Sequence, residues 1–329
     1  MFRVGLVGCG GIAQVHAAVL HALPDTELVA CADIRPERAE ALANRYACRP
    51  YPSMEAMLDG ESLDALHLCT PHDLHTPMVV AASERGLPVL TEKPPVISAD
   101  QWAALQQAGE RIPIGVCFQN RYNRNVQEAR KIIRSGEYGE VVGGRAFVTW
   151  SRGADYYTSS DWRGSWAREG GGALINQSIH TLDLLVWLMG PPTSVEARMA
   201  NHHLAHVIEV EDTVEACLTL GNKPALFYAS TAYAGNAPVL IEIQLEKAAI
   251  RLEDNTLEVR STAGVECRAF QSEEPLGKGY WGNGHLPCIA DFYARLSQGL
   301  PPRINLADIQ DTVSVMLQMY EQGKKDLLG

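Results

Sequence analysis

Residues 8–13, Gly-Cys-Gly-Gly-Ile-Ala, and the aspartate at position 33 are the first groups in the chain whose types and spacing could do chemistry. The run fits G-x-G-x-x-A. Gly8 suits a tight turn, Gly10 lets backbone approach a pyrophosphate, and Ala13 lets a helix pack closely on a strand. Gly11 and Ile12 open that helix, whose free N–H groups and positive dipole end favour phosphate oxygens. Asp33 ends the next apolar run, where a carboxylate accepts from ribose hydroxyls and repels a 2′-phosphate; this favours NAD over NADP. Ile34 and Arg38 are further candidate cofactor contacts. Arg35 and Arg38 either hold a phosphate or stack on adenine, or they begin a solvated helix. Thr70, Pro71 and His72 end a third apolar run, on the carboxyl edge where open α/β sheets bind ligands. His75 lies one turn on, and helix capping or packing reads equally well for it.

The elements that must position these groups alternate over the first 120 residues. Strand signals at 2–7, 28–33, 63–70, 88–91 and 113–118 are separated by helical patterns at 12–23, 36–46, 74–85 and 99–111. Repeated β-α units of this length imply a doubly wound parallel sheet with helices on both faces and right-handed crossovers. After residue 120 a helix at 126–135, a strand at 141–151 and a long apolar helix at 173–189 precede several strands joined directly: 195–200, 213–220, 225–233, 239–245, 248–252 and 257–259. Strands without crossover helices imply an antiparallel sheet. Helices at 286–298 and 307–323 close the chain. The reading is a Rossmann domain over 1–120 and an α+β domain over 121–329 that binds substrate and carries the oligomer contact.

The 329 residues carry a net charge of −11 with no block of Lys and Arg, which argues against nucleic acid as the main partner. No apolar run is long enough to span a bilayer, and the N-terminus reads as strand and turn rather than signal peptide, so a cytoplasmic location is expected. The eight cysteines form no C-x-x-C pair and read as small buried hydrophobes in a reducing compartment. His202, His203 and His206 cluster without an acidic or cysteine partner at ligand-like spacing, and no metal is expected.

Further motifs are more specific: Cys-Thr-Pro-His-Asp-Leu-His at 69–75, Glu92-Lys93-Pro94 after the fourth strand, and Gly-Gly-Gly-Ala-Leu-Ile-Asn-Gln-Ser-Ile-His at 170–180. With the glycine turn and Asp33 they resemble the glucose–fructose oxidoreductase / inositol dehydrogenase / rhizopine-catabolism family over essentially the whole chain. The resemblance implies NAD(P)-dependent hydride transfer at a secondary alcohol or ketone carbon of a sugar, sugar derivative or cyclitol. It implies a homodimer or homotetramer, the second-domain sheet commonly supplying the contact. It places Lys93 in the active site and gives His180 the acid/base role, with Glu92 beside the cofactor. It also implies that Trp162 and Arg163 reach toward the nicotinamide, and that Gln119 and Tyr122 lie in a segment near cofactor and substrate.

The physics agrees with those roles. A lysine at the carboxyl end of a strand can polarise the reacting oxygen and stabilise alkoxide charge, and burial and a nicotinamide cation would both lower its pKa. A histidine titrating near neutrality can take and return the hydroxyl proton. One position departs from the inositol-dehydrogenase pattern: Asn176 stands four residues before His180, where that pattern has Asp. At i and i+4 the two share a helical face, and an Asn orients a hydroxyl but relays no proton. Either His180 works with Lys93 alone or another carboxylate helps; Asp183 could orient the ring or serve the helix structurally. Tyr280 and Trp281 form either a pocket wall for substrate or loop packing. Two other readings of the whole stay open: an NAD-dependent glycosidase working by transient oxidation, and a non-catalytic dinucleotide-binding regulator.

Overall fold

The computed structural model describes residues 1–270 and 284–328, and the chain forms two compact units. The first comprises Met1–Gln119 and the described residues of Glu274–Asp308; the second comprises the described residues of Asn120–Glu273 and of Ile309–Gly329. Among the described residues no helix is long and apolar enough to cross a membrane.

The first unit is a six-stranded sheet in the order β3-β2-β1-β4-β5-β6, every neighbouring pair parallel. Its strands are β1 (Phe2–Val7), β2 (Thr26–Ala32), β3 (Arg49–Tyr51), β4 (Ala65–Leu68), β5 (Val89–Thr91) and β6 (Ile114–Val116). β4, β5 and β6 are buried at every residue, as a sheet covered on both faces requires. Strand order reverses between β1 and β4, with α1 (Gly11–Ala22) following β1 and α4 (His72–Glu84) following β4. β3 and α3 (Met54–Gly60) carry no clear apolar period and escape the sequence reading; Ser53 caps α3 by accepting from the Ala56 N–H at 3.1 Å. A helix from the far end of the chain, α9 (His285–Leu296), completes this unit. Its Ile289, Phe292 and Tyr293 join the core formed by Val4, Leu6, Ala13 and Ala17.

The second unit is built on an eight-stranded sheet in the order β14-β13-β12-β11-β7-β10-β9-β8. β7 is Val141–Thr149, β8 Pro192–Ala200, β9 Thr213–Leu220, β10 Lys223–Ser230, β11 Leu240–Leu245, β12 Ala248–Glu253, β13 Thr256–Ser261 and β14 Gly264–Ala269. All pairs are antiparallel except β7 with β10. β14 is almost wholly exposed, which explains why no hydrophobic alternation announces it. The eight cysteines form no disulfide; Cys217 and Cys267 lie exposed on β9 and β14, whereas Cys9, Cys31, Cys69, Cys117 and Cys288 are buried as expected.

The apolar stretch 173–189 is not one regular helix. A π-helical turn over Ala173–Ser178 leads into α8 (Ile179–Met189). Triple glycine makes the entry possible: a Cβ on Gly172 would stand 2.0 Å from the Glu211 carbonyl oxygen. Asp183 on α8 is bound by two side chains of its own unit, which favours the structural one of its two readings. Arg121 donates to it through Nε (2.7 Å) and Nη2 (2.6 Å), and Thr312 of α10 (Leu306–Leu328) through Oγ1 (2.8 Å).

Breaking this buried bidentate pair strands the Arg121 charge. Asp183→Ala is expected to lower unfolding free energy by about 3–5 kcal/mol, read from urea denaturation followed by circular dichroism. A loss below about 1 kcal/mol would mean that the pair contributes little beyond a surface bridge.

Candidate active site

At the end of β1, Gly8 adopts φ +85°, and a Cβ there would lie 2.6 Å from the Cys69 carbonyl oxygen. Only glycine permits both, so the β1 and β4 ends close up at the sheet's switch point. Gly10 caps α1 with no side-chain hydrogen bond, and a Cβ on Gly10 or Gly11 would meet nothing within 4 Å. The turn therefore presents uncapped amides to open space, the requirement for a pyrophosphate. Asp33 is held beside it: Oδ2 accepts from the Cys9 N–H at 2.8 Å and Oδ1 from the Arg35 N–H at 2.9 Å. Each oxygen keeps lone-pair capacity for a ribose hydroxyl. Ile34 is 81% exposed, an apolar surface next to that carboxylate, and Arg38 is exposed as well. Turn, carboxylate and apolar shelf fit a dinucleotide. Ile12 is half-buried in the first turn of α1.

On the adjoining strand ends, Pro71 caps α4 and His72 begins it, while Thr70 is half-buried. His75 is not at the surface. Its Nδ1 lies 2.7 Å from the Pro94 carbonyl and its Nε2 2.9 Å from the Thr70 carbonyl, tying the β4 end to the turn that holds Lys93. Burial lowers its pKa, opposed by those two carbonyls and by Glu92. Lys93 is half-buried, and its backbone N–H donates to Glu92 Oε2 at 3.1 Å. The Glu92 carboxylate points inward rather than outward, with His16 Nε2 at 3.0 Å and His285 Nε2 at 3.6 Å from Oε1. Neither histidine is signalled by the sequence as a site residue, because positions 16, 92 and 285 share no local pattern.

In the second unit, Asn176 sits in the π-helical turn and His180 in the first turn of α8, both half-buried. The i, i+4 relation expected of a regular helix thus crosses a junction of two helix types. Asn176 Nδ2 donates to Glu169 Oε1 at 2.5 Å and lies 3.4 Å from Tyr156 Oη, which Gln177 Nε2 also meets at 3.2 Å. Glu169 is thus a buried carboxylate bonded to Asn176, and no local motif in the sequence signals it. Burial raises its pKa to about 7, against hydrogen bonds from the Gly164 N–H and Asn176. Glu211 behaves alike: burial raises it to about 7, although the Leu174 and Gly172 N–H groups and Tyr320 Oη donate to it. Arg163 stacks over Tyr156 at 4.3 Å and near Trp162 at 5.3 Å, gathering the Trp-Arg pair beside the Asn176 cluster's own tyrosine. Gln119 is buried at the start of a 3-10 turn that ends at Tyr122. Tyr280 and Trp281 lie outside the described residues.

Comparison with known proteins gives consistent results. Residues 2–113 match the family described as "Oxidoreductase family, NAD-binding Rossmann fold", and residues 126–251 match "GFO/IDH/MocA C-terminal domain". An inositol 2-dehydrogenase of Rhizobium meliloti (strain 1021) is 32% identical over 206 residues, 60% of this chain and 58% of that protein. A D-glucoside 3-dehydrogenase of Escherichia coli (strain K12) is 30% identical over 196 residues, 58% of this chain and 54% of that protein. The matched stretch therefore spans less than two thirds of the length of these curated relatives. A crystal structure of the WlbA dehydrogenase from Bordetella pertussis in complex with NADH and UDP-GlcNAcA is 28% identical with a TM-score of 0.86, covering 99% of this chain and 96% of that one.

The two raised carboxyls make stability pH-dependent. A carboxyl whose folded-state pKa stands above its unfolded value favours the fold while protonated. Its contribution is complete below the usual value of 4.5 and is lost as pH rises to about 7. The slope is about 1.4 kcal/mol per pH unit for each group. Glu169→Gln fixes the neutral form, so its urea midpoint should fall less than the parent's across this window. An equally steep decline would show that Glu169 does not titrate there.

Proposed function

Since the chain belongs to the GFO/IDH/MocA oxidoreductase family, we propose that it transfers a hydride between NAD and a secondary alcohol or ketone carbon of a sugar, sugar derivative or cyclitol. The observation that carries this reading is Asp33, fixed by two backbone N–H groups beside an uncapped glycine turn. That pair of features suits a pyrophosphate and an unphosphorylated ribose, hence NAD in preference to NADP. Bound NAD would supply the hydride acceptor. The chain's own residues would do the rest. Lys93 donates to the reacting oxygen and stabilises charge on it. His180 takes the hydroxyl proton and returns it in the reverse direction. Asn176, steadied by Glu169, orients a neighbouring hydroxyl without moving a proton. Trp162 and Arg163 stand beside Tyr156 in the Asn176 cluster.

The substrate class is supported by the relatives' names, an inositol and a glucoside dehydrogenase, and by the UDP-GlcNAcA held in the Bordetella structure. The first unit would bind the cofactor and the residues after Gln119 the substrate. Leu226 on β10 is 51% exposed and Tyr233, three residues past its end, 46%, and we place a contact between copies of the chain there.

NADH formation should be followed over sugars, cyclitols, sugar acids and nucleotide-linked sugar acids, with NAD and NADP compared. Lys93→Ala and His180→Ala should each cut turnover by about a hundredfold or more while NAD affinity survives. Asp33→Ala should instead weaken NAD binding. Cleavage of glycosides with no accumulated NADH would replace the dehydrogenase reading by transient-oxidation chemistry. Dinucleotide binding without turnover of either kind would leave a regulator.

A further inference from the structure

Beneath the Glu-Lys-Pro turn lies a chain of buried polar side chains that the proposed chemistry does not use. Tyr293 Oη stands 2.8 Å from His67 Nε2, His67 Nδ1 stands 2.8 Å from His16 Nδ1, and His16 Nε2 stands 3.0 Å from Glu92 Oε1. His285 Nε2 approaches the same oxygen at 3.6 Å, and all five residues belong to the first unit. His16 and His67 are wholly buried, and Glu92, His285 and Tyr293 are 4–5% exposed.

The protons in this chain can be assigned from one end. Burial pushes the Glu92 carboxyl up, but the hydrogen bond from His16, with His285 close by, outweighs it and holds the group well below the usual carboxylate range. An ionised carboxylate only accepts, so His16 Nε2 carries a proton. Burial lowers both His16 and His67, leaving each ring with one N–H. His16 Nδ1 is then an acceptor, His67 Nδ1 donates to it, and Tyr293 donates to His67 Nε2. Each of these contacts has one donor and one acceptor, and the direction of donation runs toward Glu92.

We infer that His16 and His285 are positioning residues for Lys93, acting through the Glu92 carboxylate. Glu92 Oε1 is bonded to His16 Nε2 and faced by His285 Nε2 at 3.6 Å, and Oε2 accepts the backbone N–H of Lys93 at 3.1 Å. The far side of the turn is gripped independently: His75 Nδ1 meets the Pro94 carbonyl at 2.7 Å, and Thr76 Oγ1 donates to the Pro95 carbonyl at 2.9 Å. Lys93 thus lies between two fixed flanks, and a half-buried side chain on a clamped backbone is confined to few placements. The donor atoms of His16, Glu92 and His285 lie within 4.8 Å of one another, a spacing open to a cation. Coordination would need the lone pair of His16 Nε2, so it would have to displace the proton shared with Glu92.

The inference rests on the reading of Lys93 as an active-site group, and its test needs neither substrate nor NAD. Reductive methylation with carbon-13 formaldehyde tags the lysines of the whole protein, and the Lys93 resonance is the one lost in Lys93→Arg. Its titration midpoint reports the surroundings of the amine. Glu92→Gln should lower that midpoint by about half a pH unit or more, because an ionised neighbour that favours the charged amine is removed. His285→Gln should also move it. In the Glu92→Gln background His285→Gln should move it no further, since the histidine acts through the carboxylate. The idea is overturned if His285→Gln lowers Tm but leaves the midpoint in place, or if its shift adds in full to that of Glu92→Gln. Should His285→Gln fail to fold, His16→Asn is read against the same criteria. One equivalent of tightly held zinc in the parent that vanishes in His285→Gln would also overturn it, replacing the hydrogen-bonded clamp by a metal centre.

Discussion

A carboxylate taken out of water must be met by donors, and this chain buries several. Glu92 is met from positions 16 and 285, Asp183 from 121 and 312, and Glu211 from the backbone of 172 and 174 and from Tyr320. In each case the donors come from elements remote in sequence from the acid. Each acid can be satisfied only when those elements are in place together. Apolar burial tolerates small slips of one element on another, whereas a bidentate pair such as Arg121 with Asp183 does not. The acids therefore act as registration points within each unit, and the candidate site is built next to them. Lys93 follows Glu92 in sequence, the π-helical turn carrying Asn176 begins over Glu211, and His180 precedes Asp183 by one helical turn.

The two units build their candidate sites differently. In the first, backbone does most of the work. A glycine that no other residue can replace draws two strand ends together, and amides at a helix start face open space. The aspartate beside them is fixed by main-chain donors rather than by other side chains. In the second, side chains predominate: Asn176, Tyr156, Gln177, Glu169 and Arg163 form one connected cluster. A backbone cradle recognises what all dinucleotides share, and a side-chain cluster can change with few substitutions.

Local signals in the sequence sufficed for the parallel sheet, for the glycine turn with Asp33, and for the change to direct strand connections after residue 120. Each of these is written in neighbouring residues, as periodicity or a short motif. The short β3 and the exposed β14 lack a buried face and so leave no alternation to read. The π-helical turn was read as regular helix because its composition, Ala-Leu-Ile-Asn-Gln-Ser, differs in no periodic way from the α8 residues after it. Glu169 was passed over because its role depends on a contact with Asn176 that only the turn creates. His16 and His285 were passed over because they converge on Glu92 from opposite ends of the chain. Spacing alone leaves Asp183 open to a catalytic and a structural reading, and does not reveal that Arg121 and Thr312 donate to its oxygens.

The return of α9 to the first unit bears on how the protein is made. Ile289, Phe292 and Tyr293 share a core with a strand and a helix that are synthesised within the first tenth of the chain. Until residues near 293 emerge, Ala13, Ala17 and Leu6 have no cover on that side, and Glu92 lacks one of its two imidazoles. The nascent Rossmann sheet is therefore an incomplete globule through most of translation, exposed to whatever apolar partner it meets first. The second unit has its sheet strands already synthesised by then. Folding order along this chain need not follow the order of its domains, and a fragment cut after the sixth parallel strand would be a poor stand-in for the cofactor-binding half.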